Sequence, residues 1–179
     1  MALSVYDWPR DVHAAFRSKA VRQIGTVPDA GLTRLLDLCH ADDAMSVMTL
    51  TREDEGIGLV TGAWLGGERA ALAMQSSGVG NVINALSLPA VLKIPCLMLV
   101  TMRGQWGEAN GWQVPMGRAT PEVLEAMGVT VYSVDHAEDV GEAVSAAADM
   151  AFHGGIATAV LIGQRVIGAK AFKTKGEGR

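Results

Sequence analysis

The sequence predicts a single doubly wound α/β domain with a mostly parallel six-stranded sheet. Three observations carry that prediction. From Gln23 to Gly163, short apolar runs alternate with longer segments of helical character, the order that builds a parallel sheet with helices on both faces. Several of the runs are unbroken rather than alternating, which suits strands buried on both sides. The 179 residues, 49% hydrophobic and 19% charged, match one domain that buries roughly 70% of its unfolded surface.

In chain order, strands are expected at 23–27, 46–51, 70–75, 96–102, 130–133 and 158–162. Helices are expected at 31–41, 53–65, 79–92, 121–127 and 138–152, with Pro121 in a first turn and Gly128 as a C-terminal stop. Between the fourth strand and the next helix lies a polar, Gly-rich stretch, 103–119, holding Trp106, Trp112 and Gln113. A compact domain normally uses a shorter connection, so this one is a site candidate. The domain is taken as 1–169. The remainder, 170–179, carries Lys170, Lys173, Lys175 and Arg179 and is expected to be a frayed, solvated basic tail.

A net charge of -4 gives no broad attraction to nucleic acid or to an anionic membrane. Residues 1–10 hold no basic segment followed by an apolar stretch, and no later run is long and apolar enough to span a bilayer. A soluble cytoplasmic protein is expected. Cys39 and Cys96 are the only cysteines, too few for a disulfide framework and without zinc-ligand spacing, so they read as buried thiols.

In a parallel sheet, ligands bind beyond the carboxyl ends of the strands. Four segments follow strands there: Val27-Pro28-Asp29, Arg52-Glu53-Asp54-Glu55-Gly56, Ser76-Ser77-Gly78-Val79-Gly80-Asn81 and the 103–119 stretch. Three carboxylates at a helix start complement the helix dipole, which is the plain structural reading. Gly56 and Gly58 depress helix propensity just after them, however, as close packing or the approach of another group would require. The Gly78-Val79-Gly80 turn lacks the third glycine of a dinucleotide fingerprint, since Ile83 stands there. It reads as a strand-to-helix turn capped by Ser76 or Ser77. Neither serine sits in a nucleophile elbow, and His13, His40, His136 and His153 have no carboxylate-oriented arrangement.

Taken in order, Thr51-Arg52-Glu53-Asp54-Glu55-Gly56-Ile57-Gly58, Met74-Gln75-Ser76-Ser77-Gly78-Val79-Gly80-Asn81 and Gln113-Val114-Pro115-Met116-Gly117-Arg118 resemble the alpha subunits of sulfopyruvate decarboxylase. Phosphonopyruvate decarboxylases share much of the pattern. The resemblance runs from about Val27 to Arg118 and implies the pyrimidine-binding domain of a thiamine diphosphate enzyme. In that family one glutamate after the second strand meets N1′ of the aminopyrimidine. By spacing to Gly62-Ala63-Trp64 it is Glu53, with Glu55 the competing assignment and Asp54 the third. A glutamic acid shielded from water can share its proton with N1′, while the cofactor carries the hard step of decarboxylation.

The same resemblance implies cofactor contacts from Pro28, Gly78, Gly80 and Asn81 as well as Glu53. It places Asp29, Gln113, Arg103 and Arg118 on the substrate side. Each arginine could pair with a small anionic 2-oxo acid, or equally form an ion pair with Glu108 or Glu122. No Gly-Asp-Gly occurs in the sequence, so the resemblance puts Mg2+ and the diphosphate on a partner beta subunit, with no metal ligands in this chain. Sulfopyruvate is the preferred substrate and phosphonopyruvate its rival. A non-catalytic α/β binding module is the reading from a different class. An apolar rim of Val79, Val82 and Ile83 is expected to drive self-association when the partner is absent.

Overall fold

Six parallel strands form the centre of the computed structural model, which describes residues 6–168. They are β1 Val21–Thr26, β2 Ser46–Thr49, β3 Arg69–Gln75, β4 Cys96–Thr101, β5 Thr130–Val134 and β6 Ala157–Ile162, in the order β2-β1-β3-β4-β6-β5. Every pairing is parallel. The chain leaves β1 toward β2 on one side and returns to β3 on the other, so the direction of winding reverses between β1 and β3. A ligand crevice opens at such a switch point. The basic tail expected at 170–179 lies outside the described residues.

All six residues of β4 are buried, because this central strand is covered on both faces. Leu97 and Leu99 enter one core with Phe16, Leu35, Val144 and Phe152. Cys96, Met98 and Val100 enter the other with Ile57, Val79, Val82 and Leu124. The first core lies under α1 Trp8–Ser18, α2 Thr33–His40 and α7 Val140–Gly154; the second lies under α3 Glu53–Leu65, α4 Ser76–Val82 and α6 Gln113–Ala126. Each fully buried Leu, Ile or Phe contributes about 1.5–3 kcal/mol. Burial also pushes the free thiols of Cys39 and Cys96 up to about 12, so both are inert at neutral pH.

Three helical expectations need correction. The segment 79–92 is two helices, α4 and α5 Ser87–Leu92. One continuous helix would put Pro89 in its interior against the Ala85 carbonyl, whereas α5 takes Pro89 into its first turn. Gly78-Val79-Gly80, expected as a turn capped by Ser76 or Ser77, already belongs to α4, which begins at Ser76. The helix expected from Pro121 begins eight residues earlier, at Gln113, and runs through the proline. Gly117 and Pro121 both disfavour a helix, yet Gly117 is needed where it stands: a Cβ there would overlap the Arg103 carbonyl. The long connection shrinks accordingly to residues 102–112.

α1 was not expected, although Trp8, Val12, Ala15 and Phe16 recur at helical spacing and are all buried. The apolar rim expected for self-association is also corrected. Val79 and Val82 are fully buried in their own core and Ile83 is packed against it. The exposed apolar side chains nearby are instead Leu88, Val91 and Leu92 of α5. Among the described residues no helix is long and apolar enough to cross a membrane.

Candidate active site

Parallel pairing brings the carboxyl ends of the strands to one rim, with Asp29, Glu53, Ser76, Arg103 and Gln164 just beyond β1, β2, β3, β4 and β6. The three acids that open α3 have different fates. Asp54 Oδ1 accepts from Arg52 Nε at 3.1 Å. Glu55 is exposed, and its Oε2 accepts from the backbone N–H of Thr51 at 2.9 Å, tying down the entry to the helix. Both are thus spent on local contacts at the helix entry. Glu53 alone points inward and is only 8% exposed.

Burying a carboxylate is costly unless donors or a favourable field meet it. Glu53 has the N-terminal end of α3 behind it, where the helix dipole favours negative charge. It also has one donor: Asn81 Nδ2 reaches Oε2 at 2.7 Å. Among the described residues, Oε1 accepts no hydrogen bond. Gly78 of α4 lies against the same carboxyl group, where an added Cβ would stand 2.6 Å from Glu53 Cδ and Cγ. Only glycine leaves room for the side chain. Gly56 is explained similarly, since its Cβ would press on Leu72, whereas Gly58 faces open space. Gly80 has room for a Cβ, which would meet only Met116 Sδ at an ordinary 3.5 Å.

Asp29 is fully engaged. Its Oδ1 accepts from Gln75 Nε2 at 2.6 Å, and its Oδ2 from Thr101 Oγ1 at 2.9 Å and the Gly31 N–H at 3.0 Å. Ser77 Oγ in turn donates to Gln75 Oε1. One carboxylate therefore links the ends of β1, β3 and β4. Pro28 is exposed beside it, on the wall of a cavity of about 340 Å³ shared with Thr26, Asp29, His40 and Thr49.

Arg103 is bound in a second network. Its Nε and Nη2 donate to the two carboxylate oxygens of Glu108 at 2.7 and 2.6 Å, both side chains being buried. Glu108 also accepts from the N–H groups of Gly104 and Asn110 and from Gln164 Nε2. With Arg103 the first cause, these donors hold the Glu108 carboxyl down at about 2. Gln164 Oε1 receives the N–H groups of Gln105 and Trp106, and the Arg165 guanidinium lies 4.0 Å from the Trp106 ring centroid. The connection 102–112 is thus strapped to α8 Gln164–Ile167.

At the start of α6, Gln113 Oε1 is buried without a hydrogen-bond partner. Arg118 is exposed and makes no ion pair among the described residues. The structure thus joins Glu53, Gly78 and Asn81 in one contact group and ties Asp29 and Arg103 into separate networks. Gln75, Thr101 and Gln164 were missed in the sequence. Thr101 lies inside an apolar run, and Gln164 acts across 59 residues, so no local pattern marks either.

No family model matches the chain. Over 152 residues it is 36% identical to sulfopyruvate decarboxylase subunit alpha of Methanococcus maripaludis, covering 84% of this chain and 91% of that one. Over 117 residues it is 36% identical to phosphonopyruvate decarboxylase of Streptomyces viridochromogenes, covering 64% of this chain and 30% of that protein. A chain of 2-oxoglutarate:ferredoxin oxidoreductase from Magnetococcus marinus has the same fold, with a TM-score of 0.74 at 15% identity over 96% of this chain and 34% of that one.

Proposed function

This chain belongs to the family of sulfopyruvate decarboxylase alpha subunits and their phosphonopyruvate decarboxylase relatives, and from that premise we propose that it is the pyrimidine-binding alpha subunit of a thiamine diphosphate-dependent 2-oxo acid decarboxylase. The observation that carries the reading is the Glu53 carboxylate, buried at the switch-point rim with Oε1 unpartnered. The buried, unpartnered Gln113 Oε1 at the start of α6 is a free acceptor for a ligand bearing polar hydrogens.

Thiamine diphosphate, when bound, supplies the electron sink that takes up the bonding pair as carbon dioxide leaves. The chain's own task is proton handling and placement. Glu53 Oε1 holds or releases a proton toward N1′ of the aminopyrimidine. Gly78 clears the space that keeps the carboxyl group in place. Glu55, exposed and spent on capping, is unsuited to that role.

Arg103 has its guanidinium committed to Glu108, which supports a structural role; Arg118 is left as the cation able to meet a sulfonate. Asp29 in this reading shapes the substrate side by fixing three strand ends, with Pro28 on the neighbouring wall. Sulfopyruvate is favoured as substrate by the alpha-subunit relatives, whose name also implies a second subunit. The reading gives that partner the diphosphate and Mg2+. Phosphonopyruvate is the second substrate reading, supported by the Streptomyces relative.

The test is carbon dioxide release by the chain reconstituted with its beta subunit, offered sulfopyruvate, phosphonopyruvate and pyruvate. Turnover of the sulfonate that needs both chains and disappears in Glu53→Gln supports the proposal. Turnover by the chain alone, or by the Glu53→Gln enzyme at the wild-type rate, contradicts it.

A further inference from the structure

We infer that Asn81 is a positioning residue: it holds Glu53 Oε2 so that Oε1 is the oxygen presented to the ligand. The inference rests on the proposed role of Glu53 and deepens it. A glutamate has three side-chain torsions, and burial alone does not decide which oxygen faces outward. Two features of α4 decide it. Asn81 Nδ2 lies 2.7 Å from Oε2. One turn earlier, Gly78 lacks a Cβ, and the carboxyl group fills that volume with Oε1 nearest to it. The orientation of the amide is fixed by charge, because the flipped form would set a carbonyl oxygen against a carboxylate. Asn81 is itself exposed. Its contact is with the carboxylate, and its effect is exerted through Glu53.

The contact is tested first without cofactor, in the full chain, by exchanging amide and carboxylate. Asn81→Asp sets two carboxylates together and should lower the melting temperature. Adding Glu53→Gln restores a donor and an acceptor with the ends swapped, so the double variant should melt above Asn81→Asp alone. Strictly additive effects, or an Asn81→Asp protein that melts like wild type, would overturn the contact. The positioning role is then read in the reconstituted enzyme with pyruvate-type 2-oxo acids. Loss of one charge-assisted hydrogen bond in Asn81→Ala should lower kcat by about tenfold to a hundredfold. The KM for the oxo acid should stay within about twofold. A raised KM with unchanged kcat would instead make Asn81 a binding residue. Wild-type turnover in Glu53→Gln sinks the proposed function. Loss of turnover there, with an unimpaired Asn81→Ala enzyme, sinks only the positioning role.

Discussion

Two buried glutamates stand at this rim, and their surroundings differ sharply. Glu108 has both oxygens occupied, by two guanidinium nitrogens, two backbone N–H groups and one amide. Glu53 has a single donor on one oxygen and an absent Cβ beside it. A fully satisfied carboxylate is a fastener: its proton affinity is driven far down and it has no coordination left to offer. Glu53 keeps one oxygen with no hydrogen-bond donor among the described residues, so it still has coordination to offer. On the proposed reading, the contrast separates a residue that holds the loop from one that meets a ligand.

The sharpest break of the comparison is Glu108→Ala. It strands Arg103 as a buried, unpaired cation, which costs about 3–5 kcal/mol. Thermal melting of the full chain should fall by roughly 10 °C, with any loss of turnover following from unfolding. An unchanged melting temperature would mean that the network holds nothing.

Acid should act on the same network. The Glu108 carboxyl is depressed from 4.5 to about 2 in the folded chain, so its contribution is fully present above about pH 4.5. It is lost as pH falls through that range toward 2, because the unfolded chain takes up the proton first. The contribution is on the order of 3 kcal/mol. Stability measured by denaturant titration between pH 6 and 3 should fall less steeply in Glu108→Gln than in wild type.

At the other corner, Gly78→Ala would ordinarily stabilise a helix by about 1 kcal/mol. Here the added methyl meets the Glu53 carboxyl group, and overpacking should cost about 1–3 kcal/mol. Lowered melting together with lowered turnover is the expected pair of results. The smallest effect belongs to Glu55→Ala, which loses one exposed capping hydrogen bond, about 0.5–1 kcal/mol, and should leave carbon dioxide release intact.

Much of this was legible before the structure. β3 and β4 are apolar through their interiors and end within a residue of the sequence-based bounds, because two-sided burial favours apolar side chains. The helix through Gly117 and Pro121 was hidden, since both residues argue locally against it and the reason for Gly117, the Arg103 carbonyl, lies in another segment. α1 was passed over although its apolar spacing is plain. Spacing preferred Glu53, with Glu55 left open; the structure buries Glu53 and exposes Glu55, a difference that depends on the whole fold. Sequence left Arg103 between an anionic substrate and an ion pair with Glu108 or Glu122, and the structure pairs it with Glu108.

The most direct test sets the two glutamates side by side as amides, Glu53→Gln and Glu108→Gln, in the reconstituted two-chain enzyme. Each is measured for melting temperature and for carbon dioxide release from sulfopyruvate. Glu53→Gln should melt close to wild type, since only one hydrogen bond is exchanged, and lose turnover almost entirely. Glu108→Gln should melt lower and keep turnover at temperatures where it remains folded. If Glu53→Gln turns over normally while Glu108→Gln, still folded, does not, the assignment of chemistry to one corner and structure to the other is wrong.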